Sequence, residues 1–123
     1  VNAYDAALFY GMFISNKPEV TQVGDNQSIS IGVVSNNNVV PESVKMHYSY
    51  NGAEFVELPM MLAEKIGDNN SGKYTVSVPF DMVSENVKFY FTASDDKDTR
   101  FSPFTAPQKF FYYDKDTKKL EIY

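Results

Sequence analysis

Apolar and polar positions alternate strictly along much of the chain, in short runs separated by turn residues. The clearest run is Val87-Lys88-Phe89-Tyr90-Phe91-Thr92-Ala93-Ser94-Asp95. As a strand it places Val87, Phe89, Phe91 and Ala93 on one face and Lys88, Tyr90 and Thr92 on the other. Its three consecutive aromatics mark it as the strand on which a core is centred. Between Ser28 and Ser35, Ile29, Ile31 and Val33 alternate with Ser28, Ser30 and Gly32, which gives one buried and one exposed face. Val44, Met46, Tyr48 and Tyr50 alternate with Lys45, His47 and Ser49 and run into Asn51-Gly52, the pair best suited to a type I′ hairpin turn. The returning strand is expected over Glu54–Leu58. Lys73 to Val78 alternates again and is stopped by Pro79. Lys109–Tyr113 is the last main strand, and Asp114–Lys119 forms a hairpin tip returning through Leu120–Tyr123.

Other stretches are less decided. Ala6 to Ile14 is apolar on both faces and fits a strand or a short helix. Pro18 opens a weaker strand through Val20, Gln22 and Val23. Pro59-Met60-Met61-Leu62-Ala63-Glu64-Lys65 fits a short helical turn or gap-filling core residues. Phe80 to Asn86 reads as a short crossover and Phe101 to Pro107 as irregular. Gly24–Asn26, Asn36–Asn38, Gly67–Gly72 and Asp95–Thr99 are turn clusters. With at least seven short alternating segments and no sustained helical period, the expected fold is all-β, an antiparallel β-sandwich of about seven to nine strands with Greek-key connections.

Four pieces taken together, Ser28-Ile29-Ser30-Ile31, Val44 through Gly52, Gly72-Lys73-Tyr74-Thr75-Val76-Ser77-Val78-Pro79 and Val87 through Asp95, resemble the immunoglobulin-like and fibronectin type III-like modules of bacterial multimodular secreted or surface proteins. The likeness is one of strand composition over about residues 18–113 and carries no catalytic motif. The absence of a Cys pair and of Trp sets the chain apart from antibody-type domains. The expected organisation is a single domain over 1–123, with 1–17 and 114–123 as extra strands or junction segments.

Composition narrows the function classes. The 123 residues hold ten Phe and nine Tyr but no Cys and no Trp, so disulfides, thiol catalysis and thiolate zinc sites are excluded. Net charge is −5, with a single Arg, Arg100, which argues against nucleic-acid binding. No run reaches the ~20 apolar residues of a membrane span. The chain opens on Val1 without a signal peptide, which suits a mature or excised segment of an extracellular or cell-surface protein.

Candidate chemistry is sparse. His47 is the only histidine and is expected on a solvated face, with no hydrolase or metalloprotease motif around it. Asp95, Asp96 and Asp98, and Asp114 with Asp116, are the carboxylate groups to weigh for Ca²⁺, but Lys97, Arg100, Lys118 and Lys119 stand among them, which favours solvated turns. Asn26-Gln27-Ser28 and Asn69-Asn70-Ser71 match the N-glycosylation acceptor where turn chemistry alone accounts for them. Met60-Met61-Leu62 is expected as core filling, with an interaction patch as the alternative. No cofactor is expected.

One face gathers functional residue types. Tyr90 with Lys45, His47 and Lys88 is expected on the outer face of the central sheet, with Phe101, Phe104, Phe110 and Tyr112 nearby. Two readings follow. In the first, preferred on sequence alone, the chain is a non-catalytic accessory module that packs or spaces neighbouring domains of the same polypeptide or docks a protein partner. In the second it is a carbohydrate-binding module whose exposed aromatics stack on sugar rings. A contiguous exposed aromatic cluster would favour a sugar or a protein-partner site, and scattered exposure would weigh against both.

Overall fold

In the computed structural model the described residues are 12–14, 18–23, 26–50, 52–78, 86–103, 106, 109–114, 116–117 and 119–122. They form eleven strands: β1 (Met12–Ile14), β2 (Glu19–Val23), β3 (Asn26–Ser35), β4 (Lys45–Tyr50), β5 (Val56–Pro59), β6 (Met61–Lys65), β7 (Gly72–Ser77), β8 (Val87–Ser94), β9 (Thr99–Ser102), β10 (Phe111–Asp114) and β11 (Lys119–Ile122). A 3-10 turn, Pro41–Ser43, precedes β4. All pairings are antiparallel. The smaller sheet runs β1-β3-β7-β6 with β2 also on β3, and the larger runs β11-β10-β8-β4-β5 with β9 beside β10 on the same edge of β8. The fold is a β-sandwich, as the alternating segments predict.

The core lies between the sheets, and the alternation of β8 is the reason. Val87, Phe89, Phe91 and Ala93 are all fully buried while Lys88 is exposed. Phe89 meets Phe91 edge-on at 5.7 Å between ring centroids, and Phe111 of β10 lies 5.7 Å from Phe89 and 6.1 Å from Phe91. Each such ring contributes roughly 1.5–3 kcal/mol by leaving water. Met46 and Tyr48 lie beside Phe91 and Phe89 in the same sheet. From the opposite sheet come Ile29, Ile31, Val33 and Tyr74, with Val76 partly buried against them. On the outer side of that sheet Ser30 Oγ–H donates to Thr75 Oγ1 across β3 and β7 at 3.0 Å.

Several local expectations need correction. Met12–Ile14 is strand, and residues 6–11 lie outside the described part. The stretch after Pro59 is not helical: Met61–Lys65 is an edge strand, Met60 is buried where the chain passes from one sheet to the other, and Met61 is 75% exposed rather than core. Pro59 is tolerated because β5 is an edge strand and needs no ladder donor on its free side. Thr99–Ser102, expected as turn and irregular chain, continues the sheet as β9 against β8. The strand count exceeds nine because β9 and β11 extend the larger sheet and two separate strands, β1 and β2, line one edge of β3. Gly52 has φ +77°, as its hairpin turn requires, while Asn51 and residues 80–85 lie outside the described part.

Candidate functional site

The outer face of the larger sheet collects the residues singled out from the sequence. Directly paired residues in adjacent antiparallel strands project to the same side. The register pairs Lys45 with Thr92, His47 with Tyr90 and Ser49 with Lys88 between β4 and β8. It pairs Lys88 with Tyr112 on β10 and Thr92 with Phe101 on β9. Lys45, His47, Lys88, Tyr90, Phe101 and Tyr112 therefore share this face, and Phe104 lies outside the described residues.

Part of this face is a continuous aromatic cluster. The His47 imidazole stacks flat on Tyr90, with centroids 4.5 Å apart and planes within 5°. Phe55 covers the other partners: its ring lies 5.4 Å from Tyr90 and 5.6 Å from Phe110, tilted against both. Lys88 Nζ sits 5.4 Å from the centroid of the Phe110 ring, a cation over an aromatic face. Phe55 is 41% exposed, so the cluster meets solvent. The hairpin after β4 delivers it there: Ala53 N–H donates to Tyr50 O at 3.2 Å and Ser49 Oγ–H donates to Ala53 O, which folds the chain back over the sheet. Sequence reasoning placed residue 55 in the returning strand and left it out of the candidate site. An aromatic just after a hairpin turn was the signal available. Phe101 stands apart from the cluster among the described residues, and Lys45 is paired with Glu57 at 3.6 Å instead.

His47 is less solvated than alternation alone suggested, with 12% of its side chain exposed. The cause is the cover from Tyr90 and from the edge strand β5, whose Glu57 lies opposite it. Burial lowers its pKa below the usual value; Glu57 pulls the other way and Lys45 adds to the lowering. Its Nε2 is 2.9 Å from Thr92 Oγ1, and its Nδ1 is 3.9 Å from Glu57 Oε1. Carboxylate, imidazole and hydroxyl thus stand in the order of a hydrolytic triad. The Glu57 contact is too long for the hydrogen bond that would orient the ring. Moreover, β4 and β8 are paired on both sides, so their ladder donors around Thr92 are directed within the sheet and not toward an oxyanion above it.

Asp96, Lys97 and Asp98 are exposed, as a solvated turn would have them, but Asp95 is not. Asp95 is 5% exposed and lies where β8 leaves the sheet. Ser35 Oγ–H donates to its Oδ2 at 2.6 Å and Asn37 Nδ2 to the same oxygen at 3.3 Å. The Lys97 and Asp98 backbone N–H groups donate to Oδ1 at 2.9 and 2.7 Å. Burial alone would raise the carboxyl pKa, but the donors, Ser35 first, outweigh it and bring it to about 2. The carboxylate oxygens that calcium would need are already engaged. Asp114 Oδ1 likewise accepts the Asp116 and Thr117 N–H groups in its own turn, at 2.8 and 3.2 Å.

The same end of the sandwich explains the Asn-rich loop. Asn69 Nδ2 donates to Ser35 O and Asn37 O at 2.7 and 2.6 Å, and Ser71 Oγ accepts the Ser35 N–H at 3.0 Å. Tyr74 closes it by donating its hydroxyl to Asn70 O at 2.6 Å. An Asn69 amide held in this way is a structural cap rather than a free glycosylation acceptor.

No protein-family model matches the chain, and no curated protein matches it. Among solved structures, a crystal structure of a Br derivative of BhCBM56, a carbohydrate-binding module, aligns with 92% of this chain and 97% of its own at a TM-score of 0.47 and 10% sequence identity.

Proposed function

We propose that the chain is a non-catalytic module that binds a glycan on the outer face of its larger sheet. The observation that carries this reading is the continuous cluster of Phe110, Phe55, Tyr90 and His47, which lies outside the core and is open to solvent at Phe55. Four rings brought together on a face that the sandwich does not need for closure offer apolar area to the C–H faces of pyranose rings. Lys88, Tyr112 and Lys45 around them supply groups for hydroxyls. The long Glu57–His47 contact and the fully laddered backbone beside Thr92 support a binding rather than a catalytic role. A secreted or surface-attached parent suits such a module.

Affinity electrophoresis of the purified chain against a polysaccharide panel tests the reading. Retardation on at least one glycan is expected, with binding weakened about tenfold or more, ~1.4 kcal/mol, by Phe55→Ala and Tyr90→Ala. No retardation on any glycan, or retardation unchanged in both variants, would remove the reading.

A second reading has its own support. The neighbour orders β2-β3-β7-β6 and β10-β8-β4 follow those of the two sheets of an immunoglobulin-like sandwich. Val56 and Met61 are exposed on edge strands that Met60 joins across the two sheets. An accessory module that packs against a neighbouring domain along that edge fits these features, and Met61→Glu would weaken such packing while leaving glycan retention alone.

A further inference from the structure

We infer that the glycan taken by this face carries a carboxylate, a uronic acid within the chain, and that Lys88 is the residue that selects it. The inference rests on the glycan-binding reading and names the ligand class for the same site. Lys88 lies on the central strand β8, between Ser49 on β4 and Tyr112 on β10, and projects from the middle of the face. Its ammonium is held over the Phe110 ring at 5.4 Å, beside the Phe55–Tyr90 contact. None of the ion pairs among the described residues includes it, whereas Lys45 on the same face is matched by Glu57, and Lys119 on β11 stands opposite Asp114. A sugar stacked on Phe55 or Phe110 would present its ring substituents to this ammonium. A carboxylate there forms a charge-assisted hydrogen bond with a cation already oriented by the aromatic ring, which spares part of the ordering cost.

The charges that face Lys88 set limits on this. Glu57 is neutralised by Lys45, and Glu121 stands opposite Tyr112 on β11, one strand beyond Lys88's own neighbour. The net charge of −5 acts at longer range and is screened beyond about 8 Å at physiological salt. A local cation decides at contact, and a glycan with spaced carboxylates suits the face better than a dense polyanion.

The test compares the whole chain on uronate polysaccharides (alginate, polygalacturonate and glucuronoxylan) with the same polymers after chemical reduction of the carboxyl to a primary alcohol. Linkage and ring shape are retained and only the charge is removed. The expected result is binding to at least one uronate polymer that falls about tenfold on its reduced form. Lys88→Met should cause the same loss with an unchanged melting temperature, Lys88→Arg should restore binding, and Phe55→Ala should abolish it on both forms. Equal binding to native and reduced polymers overturns the inference and leaves the glycan reading standing. An equal loss in Lys45→Met indicates general attraction to polyanions and also overturns it. Absence of binding to every uronate polymer also overturns the inference, while the glycan reading falls only if the wider polysaccharide panel shows no retardation either.

Discussion

The two ends of β8 put polar and aromatic side chains to different use. At its C-terminal end, Asp95 is buried in a knot that ties Ser35, Asn37, Asn69 and Ser71 together, with every carboxylate oxygen engaged. Nearer its start, Lys88 and Tyr90 stand on an open face in a cluster whose contacts are ring against ring. The knot joins loops from both sheets and has its donors and acceptors matched internally, which is what a structural element requires. The aromatic face leaves Phe55 in solvent and Lys88 without a carboxylate among the described residues. Satisfied polarity marks the part that holds the fold, and unsatisfied surface marks the part available to a ligand.

Breaking the knot is expected to give the largest effect on stability. Asp95→Ala leaves the Ser35 hydroxyl and two turn N–H groups without their acceptor and should cost about 3 kcal/mol, on the order of 10 °C in melting temperature. A thermal melt checks this, and a change within 2 °C (roughly 0.5 kcal/mol) would show that the knot does not hold the sheets. Acid should act through the same carboxyl. Its folded pKa of about 2 lies below the ordinary value of 3.8, so the unfolded chain takes up the proton first. The stabilisation is complete above pH ~4 and is lost as pH falls through ~2, for a total of about 2 kcal/mol. Denaturant melts at intervals across that range should show the slope in the wild type and a flatter one in Asp95→Asn.

The aromatic face should behave in the opposite way. Phe55→Ala and Tyr90→Ala remove partly exposed ring contacts and should each cost only about 1 kcal/mol of stability, while removing glycan retention. If either variant unfolds the chain, the cluster is a satellite of the core and the contrast fails. The smallest effect is expected at His47. Because burial lowers its pKa, the unfolded state binds the proton more readily below the ordinary imidazole value of 6.5. Stability should therefore decline slightly as pH falls below that point, a decline that His47→Gln abolishes in the same melts.

The sequence carried the faces of the strands but not the company they keep. Alternation alone assigned Val87, Phe89, Phe91 and Ala93 to the core and Lys88 and Tyr90 to the outside, because a strand has a period of two whatever surrounds it. Neighbours across the sheet depend on pairing between distant segments. Asp95 looked like any solvated turn because its principal partner, Ser35, is 60 residues away. His47 was expected in water because alternation gives a direction and not the cover supplied by β5 and Tyr90. Phe55 was missed because the hairpin turn signals the returning strand but not the company of Tyr90 and Phe110, which come to it from distant segments. Met61 was assigned to filling by its chemistry, yet an edge strand leaves one side of every such residue open.

Backbone amide chemical-shift mapping during titration with an oligosaccharide retained by the chain compares the two regions in one experiment. The account predicts shifts concentrated at Phe55, Lys88, Tyr90 and Phe110, with Ser35, Asn69 and Asp95 unmoved. Shifts centred on the Asp95 end, with the aromatic face unmoved, would contradict it.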